Sequence, residues 1–244
     1  MVIDISSDSV ASGTKAAGLI AEALRKTIKS TGEARIVVST GSSQFDMFQA
    51  LVREDVDWPK VEVFHLDEYI GLPVTHIASF RKYLFERFIN LVPVKKFHSV
   101  EVEGDIDNQI RILTSEIRRK PVDLGIIGIG VNGHIAFNDP PADFMSRESY
   151  IVVNLDEQCK KQQVDEGWFG SVSEVPGKAV SMSVWQIMQC RSIISVVPHK
   201  VKATAVYKTL MTELTPEVPA TMLKTHPDWH LFLDLNSASE IVHL

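Results

Sequence analysis

His134 stands between two glycines and an acid in the stretch Gly128 to Pro140, GIGVNGHIAFNDP, which directly follows the apolar run Val122 to Ile127. An apolar run bounded by glycine suits a strand covered on both faces. In open α/β sheets the loops leaving the carboxyl ends of such strands hold the ligands. A histidine at that point can exchange protons near neutral pH. Three other polar stretches end apolar runs in the same way. Thr40-Gly41-Ser42-Ser43 follows Arg35 to Ser39, Asp67-Glu68 follows Val61 to Leu66, and Pro198-His199, with Lys202 just beyond, follows Ser192 to Val197.

Each stretch suggests a chemistry. In Thr40-Gly41-Ser42-Ser43 a strand gives way to a helix through a glycine and three hydroxyls, so free N–H groups, hydroxyl donors and the positive helix end converge on an anion pocket. No Gly-Lys-Ser/Thr follows, so a sugar phosphate fits better than a nucleoside triphosphate. Taken alone, Ser42 or Ser43 is more often an N-cap. Asp67 at a strand end can be partly desolvated with its pKa raised, which suits a general base, although a single aspartate there more often forms a turn. Lys202, near the start of a helix, offers a compact positive charge to the same phosphate. Glu68, Gly128 and Gly130 are expected to line the substrate site with them.

Gly128, Gly130 and Gly133 also read as GxGxxG. A dinucleotide site needs the third glycine to open a long helix, whereas Pro140-Pro141 follows here and removes helix donors. His226 and His230 have the i,i+4 spacing of a metal pair, but Pro227 and Asp228 between them argue against the helix that spacing needs, so no metal site and no cofactor are expected.

The elements that must position these residues alternate. Ser9 to Lys29 carries a helical stripe (Ala16, Leu19, Ile20, Ala23, Leu24) that Gly32 can close. Phe45, Phe48, Ala50 and Leu51 have helical spacing, as do Ile106 to Arg118 and Val201 to Leu210, and Trp229 to Leu233 supplies a late strand. Strands alternating with helices predict an α/β fold: a doubly wound, mostly parallel sheet with helices on both faces and the four polar stretches on one rim. Gln162 to Val175 is expected to be a loop whose apolar tip, Trp168 and Phe169, either covers the site as a lid or pins a long connection to the surface.

The 244 residues, 45% hydrophobic, with no Ser/Gly/Pro-rich linker or charge block, predict a single α/β domain over 1–244. A net charge of −6 offers no basic footprint for nucleic acid or an anionic membrane, so a small polar substrate is the expected partner. Cys159 and Cys190 form no disulfide framework. Met1 to Val10 lacks the basic start and apolar core of a signal peptide, and no apolar run approaches the roughly 20 residues that span a bilayer. A cytoplasmic location is expected.

Taken together, TGSS at Thr40, HLDEYIGLP at His65, GIGVNGHIAFNDP at Gly128, HKVKA at His199 and the TH-P element at Thr225 resemble the glucosamine-6-phosphate deaminase (isomerase) family nearly from end to end. The wording LDEYIGLP and NGHIAFN separates the chain from the related 6-phosphogluconolactonases, whose loop looks like DGHxASLFP. The resemblance implies an amino-sugar phosphate (glucosamine 6-phosphate or an analogue such as galactosamine 6-phosphate) that loses its amine as it becomes a ketose phosphate. His134 would assist ring opening, Asp67 would move the C2 proton to C1, and Asn132 and Asp139 would be the two partners of His134. The second partner is usually glutamate; here Asp139 is one methylene shorter. In the presumed lid, some deaminases bring an arginine to the phosphate, and this chain offers Lys160-Lys161-Gln162-Gln163 and then Glu166. Allosteric members place basic residues two and four positions after an arginine that Arg147 matches; Ser149 and Ile151 stand there instead, and the chain ends soon after its last strand. Hyperbolic kinetics and a monomer or small oligomer are therefore expected. The alternatives are a lactonase on the same scaffold and a noncatalytic sugar-phosphate sensor.

Overall fold

The structure is a computed structural model that describes residues 1–165 and 167–241, apart from the side chains of Gln158 and Gln162. In chain order the elements are β1 (Val2–Ser6), α1 (Ser9–Thr31), β2 (Ala34–Val38), α2 (Phe45–Leu51), β3 (Val61–His65), β4 (Asp67–Tyr69), α3 (Phe80–Leu84), β5 (Lys96–His98), α4 (Ile106–Arg118) and β6 (Leu124–Ile126). They continue with β7 (Tyr150–Asn154), α5 (Glu157–Asp165), β8 (Lys178–Met182), α6 (Val184–Ile187), β9 (Ser192–Val196), α7 (Ala203–Met211) and β10 (Trp229–Asp234). The α1 stripe forms as expected, with Asp8 capping its start and Gly32, at φ 86°, closing it.

Seven strands make one sheet in the order β1-β10-β9-β6-β2-β3-β5, every neighbouring pair parallel. Its central strands are buried on both faces. Ile36, Val38, Val63 and Ile194 pack with α1 and α2, whereas Val37, Phe64, Ile193 and Leu231 pack with α4, α6 and α7. The alternation of successive side chains across a strand distributes one apolar run between two cores. From β2 the chain moves one way to β3 and β5, then returns to lay β6 on the other side of β2. That reversal opens a crevice between the carboxyl ends of β2 and β6, the position at which doubly wound sheets bind ligands.

A second, antiparallel sheet, β4-β8-β7, was not foreseen. It begins where the chain leaves β3: Leu66 C=O accepts from Met182 N–H at 2.9 Å, and Asp67 pairs with Ser181. Asp67-Glu68 is thus the start of a strand, not the loop expected. β1 was missed as well; Val2, Ile3 and Ile5 are exposed on this edge strand, so it lacks a buried stripe. The loop expected over Gln162 to Val175 is helical as far as Asp165. The face of α5 that turns inward carries Cys159 and Gln163, a pair without the apolar periodicity that marks a helix. Among the described residues no helix is long and apolar enough to cross a membrane.

Candidate active site

The crevice holds a cavity lined by Thr40, Gly41, Ser42 and Ser43 after β2, Asp67 at the head of β4, Gly128, Gly130 and His134 after β6, and Lys202 before α7. Stretches from four separate parts of the sequence converge because β2, β3, β6 and β9 are parallel and end on one rim.

The Thr40–Ser43 turn is held from three sides. Gly41, at φ 102°, takes a conformation that suits glycine, and Ser42–Gln44 then make a 3-10 turn that runs into α2. Tyr83 Oη donates to Gly41 C=O at 2.9 Å, and the buried Gln44 side chain donates to Val196 C=O and to Ser43 Oγ, both at 2.9 Å. Ser39 Oγ accepts from Gly128 N–H at 3.2 Å, joining this turn to the histidine loop. A carbonyl fixed towards Tyr83 turns the Ser42 N–H of the same peptide the opposite way. Among the described lining residues, Lys202 is the one lysine or arginine, and it is nearly buried.

The histidine loop is shaped by glycine and docked on β8. A Cβ on Gly130 would stand 2.2 Å from His134 Nε2, so the imidazole lies where any other residue would have a side chain. Gly133, at φ 87°, returns the chain, and its N–H reaches Gly130 C=O at 3.0 Å. The buried Asn138 side chain donates to Ile135 C=O and Met182 C=O, fastening the loop to the second sheet.

The two expected partners of His134 differ in role. Asp139 Oδ1 lies 3.0 Å from His134 Nδ1, so the acid meets the ring directly. Asn132 meets the backbone instead: its Oδ1 accepts from His134 N–H at 3.0 Å, while its Nδ2 donates to Asp139 Oδ1 at 3.1 Å. Burial works against the Asp139 carboxylate, but the hydrogen bond and charge of His134 and the Asn132 donor outweigh it and hold its pKa below the usual value. Asp67 faces the opposite balance. Burial first, then the neighbouring Glu68 and Asp139 charges, push its pKa well above the ordinary carboxylate range. That direction suits a proton acceptor.

Glu68 does not line the cavity. It is fully buried, and its two oxygens accept from the N–H groups of Tyr69, Phe80 and Arg81 and from the Ser79 hydroxyl, while Arg81 Nε lies 3.4 Å away. Arg81 in turn reaches Leu72 C=O, Glu101 and Glu103. The acid therefore seats the Ile77–Phe80 segment that forms one cavity wall, a task set by the fold of that segment rather than by substrate.

Of the Lys160-Lys161-Gln162-Gln163 stretch, Gln163 lines the cavity. Sequence reasoning missed Tyr83 and Ile77, which line it as well; Tyr83 follows Asp67 by a short helix with no periodic signal. Lys160 pairs with Glu157 outside the cavity, Lys161 is exposed, and Glu166 lies outside the described residues. The two aromatics of the tip divide the expected roles. Trp168 lines the cavity, whereas Phe169 is buried against Tyr69 and His76 and pins the segment. His226 ends a 3-10 turn and His230 lies in β10, so no helix carries the pair.

Comparison with known proteins shows the family and the fold. Residues 7–231 match the family described as glucosamine-6-phosphate isomerases/6-phosphogluconolactonase. The chain is 35% identical over 229 residues to a glucosamine-6-phosphate deaminase of Thermoanaerobacter pseudethanolicus, covering 91% of this chain and 89% of that one. It is 33% identical over 225 residues to the same-named protein of Streptococcus thermophilus, covering 92% and 95%. Among solved structures, a monomeric glucosamine-6-phosphate deaminase superposes with a TM-score of 0.88 at 28% identity, covering 98% of this chain and 100% of that one. A 6-phosphogluconolactonase of Thermotoga maritima superposes at 0.79 with 16% identity over 96% and 99%, which shows a shared fold. By its match over nearly its whole length, this chain belongs to the glucosamine-6-phosphate isomerase/6-phosphogluconolactonase family of enzymes.

Proposed function

We propose that this protein converts an amino-sugar 6-phosphate, glucosamine 6-phosphate in the first instance, and water into a ketose 6-phosphate and ammonia. The observation that carries this reading is a buried carboxylate, Asp67, and an acid-paired histidine, His134, in one cavity whose far wall is an anion-binding turn. The phosphate is held by the Thr40–Ser43 amides and hydroxyls and by Lys202, which orients the other end of the sugar towards β4 and the histidine loop.

Asp139 Oδ1, 3.0 Å from Nδ1, favours the tautomer that carries its proton on Nδ1 and so leaves Nε2 as the proton acceptor. Nε2 takes the proton of the C1 hydroxyl and returns one to the ring oxygen, opening the pyranose. Asp67 then removes the C2 proton and an enolamine forms. The same carboxyl delivers a proton to C1, which leaves a ketimine at C2. Water adds to the ketimine and ammonia departs. A single base serving adjacent carbons needs a carboxyl that both holds and releases a proton at working pH, which the desolvated position of Asp67 favours.

The test is ammonia release from glucosamine 6-phosphate and galactosamine 6-phosphate, with 6-phosphogluconolactone as control. Ammonia from either amino sugar, with the lactone left to its spontaneous hydrolysis, is expected. Lactone turnover without ammonia release would replace this reading by the lactonase one, and phosphosugar binding without turnover of any of the three would replace it by a sensor.

A further inference from the structure

Cys159 lies at the back of the histidine–acid pair. His134 Nδ1, a carboxylate oxygen of Asp139 and Cys159 Sγ are all within 4.8 Å of one another. The loop fixes the first two through Asn132. Asp156 fixes the third, its Oδ1 accepting from Cys159 N–H at 2.6 Å at the start of α5. Cys159 is buried and its thiol hydrogen-bonds the Asp139 carboxylate, while no N–H or O–H group among the described residues reaches the buried Asp139 Oδ2, so the thiol and the acid already face each other.

We propose that His134 Nδ1, Asp139 and Cys159 form a site for a thiophilic divalent cation, Zn2+ above all, and that its occupancy switches the enzyme off. One imidazole, one carboxylate and one thiolate are a donor set that zinc accepts in tetrahedral geometry, at about 2.0–2.3 Å per ligand. Neighbouring donors then stand roughly 3.4 Å apart, which rotamer adjustments can reach from the separations present. Three protein donors leave the fourth tetrahedral position for a water. Mg2+ and Ca2+, which prefer oxygen ligands, are poor matches for a thiolate.

The proton accounting shows why the metal inhibits. Zinc replaces the thiol proton of Cys159, which leaves to solvent. It also takes the Nδ1 lone pair of His134, so the ring proton moves to Nε2. An Nε2–H cannot accept a proton from a substrate hydroxyl. Asp139 is drawn onto the metal at the same time. The site shares two residues with the reaction proposed above, but metal binding itself does not depend on that reaction.

Co2+ serves as the spectroscopic probe. Titrated into the intact, chelator-treated protein, it is expected to give visible d–d bands of tetrahedral cobalt together with a near-ultraviolet thiolate-to-cobalt charge-transfer band, both removed by stoichiometric Zn2+. Cys159→Ala and Cys159→Ser should each lose the charge-transfer band while keeping the wild-type circular dichroism. Each should also bind Zn2+ weaker by at least 10- to 100-fold, the loss seen when mere supporting partners of a metal site are removed. Zn2+ should inhibit wild-type turnover reversibly, with chelator restoring it. A wild-type titration without a thiolate band, or a band that persists in both Cys159 variants, overturns the proposal whether or not the protein proves to be a deaminase.

Discussion

His134 Nδ1 and Asp139 Oδ1 are 3.0 Å apart, and the same oxygen also accepts from Asn132. The shorter acid thus reaches the ring without help from a longer side chain. Asp139→Asn keeps the shape but can present N–H to Nδ1 and favour the wrong tautomer; kcat is expected to fall by about 100- to 10,000-fold, in keeping with the loss when a triad acid becomes an amide. Asp139→Glu pushes an added methylene towards Cys159 and should lower kcat as well. Steady-state rates of Asp139→Glu with and without Cys159→Ala check this, since relief of crowding must appear as a non-additive recovery. Independent, additive losses would show that the thiol does not limit the acid at this position.

Asp67→Asn should abolish exchange of the substrate C2 hydrogen with solvent deuterium while leaving phosphosugar binding within about threefold, because the turn proposed to hold the phosphate lies elsewhere. Its stability profile is also fixed in sign. Asp67 in the folded protein holds its proton at pH values where the unfolded chain has released it. The folded state therefore binds more protons in that window, and wild-type stability falls as pH climbs from the ordinary carboxylate value of about 3.9 through the raised one. The asparagine variant lacks this loss. Thermal unfolding of the two proteins from about pH 4 upwards should show the variant gaining on wild type with rising pH; a constant difference would mean that Asp67 is ionised throughout.

Tyr83 Oη holds Gly41 C=O, so Tyr83→Phe should loosen the turn proposed to meet the phosphate. One neutral hydrogen bond is worth about 0.5–1.5 kcal/mol, so a rise in KM of about 2- to 12-fold is expected with kcat nearly unchanged. Inorganic phosphate as a competitive inhibitor should weaken in parallel. A fall in kcat at constant KM would place Tyr83 at the reacting carbons instead.

Regulation follows from Ser149, which is fully buried, accepts from Arg118 Nε at 2.8 Å and donates to Gln186 at 2.7 Å. Its hydroxyl is committed inside the fold, and Ile151, the other position, carries no charge. Neither side chain is poised to hold an anion between subunits. Velocity curves are expected to be hyperbolic and unchanged by N-acetylglucosamine 6-phosphate, with a monomer or small oligomer in solution. Sigmoidal curves that the acetylated sugar phosphate makes hyperbolic, together with a hexameric mass, would refute this.

The sequence by itself determined the parallel sheet and the rim of polar turns, because apolar runs that end in glycine, serine or aspartate are local signals. Thr40–Ser43, Asp67, His134 and Lys202 were legible on those grounds, and their convergence follows once the strands are parallel. Tertiary structure alone decided the rest. Asp67 and Glu68 are adjacent in sequence, yet opposite sides of β4 send one to the cavity and the other into a buried network with Arg81. The alternation across a strand is predictable, but which face meets the cavity depends on pairing with β8, more than a hundred residues away. Asn132 and Asp139 likewise looked equivalent as partners of His134. Only the turn at Gly133 and the docking of Asn138 on Met182 gave the ring to one and the backbone to the other, and only the packing of α5 brought Cys159 behind them. Long-range pairing of this kind leaves no periodic trace in the residues that it joins.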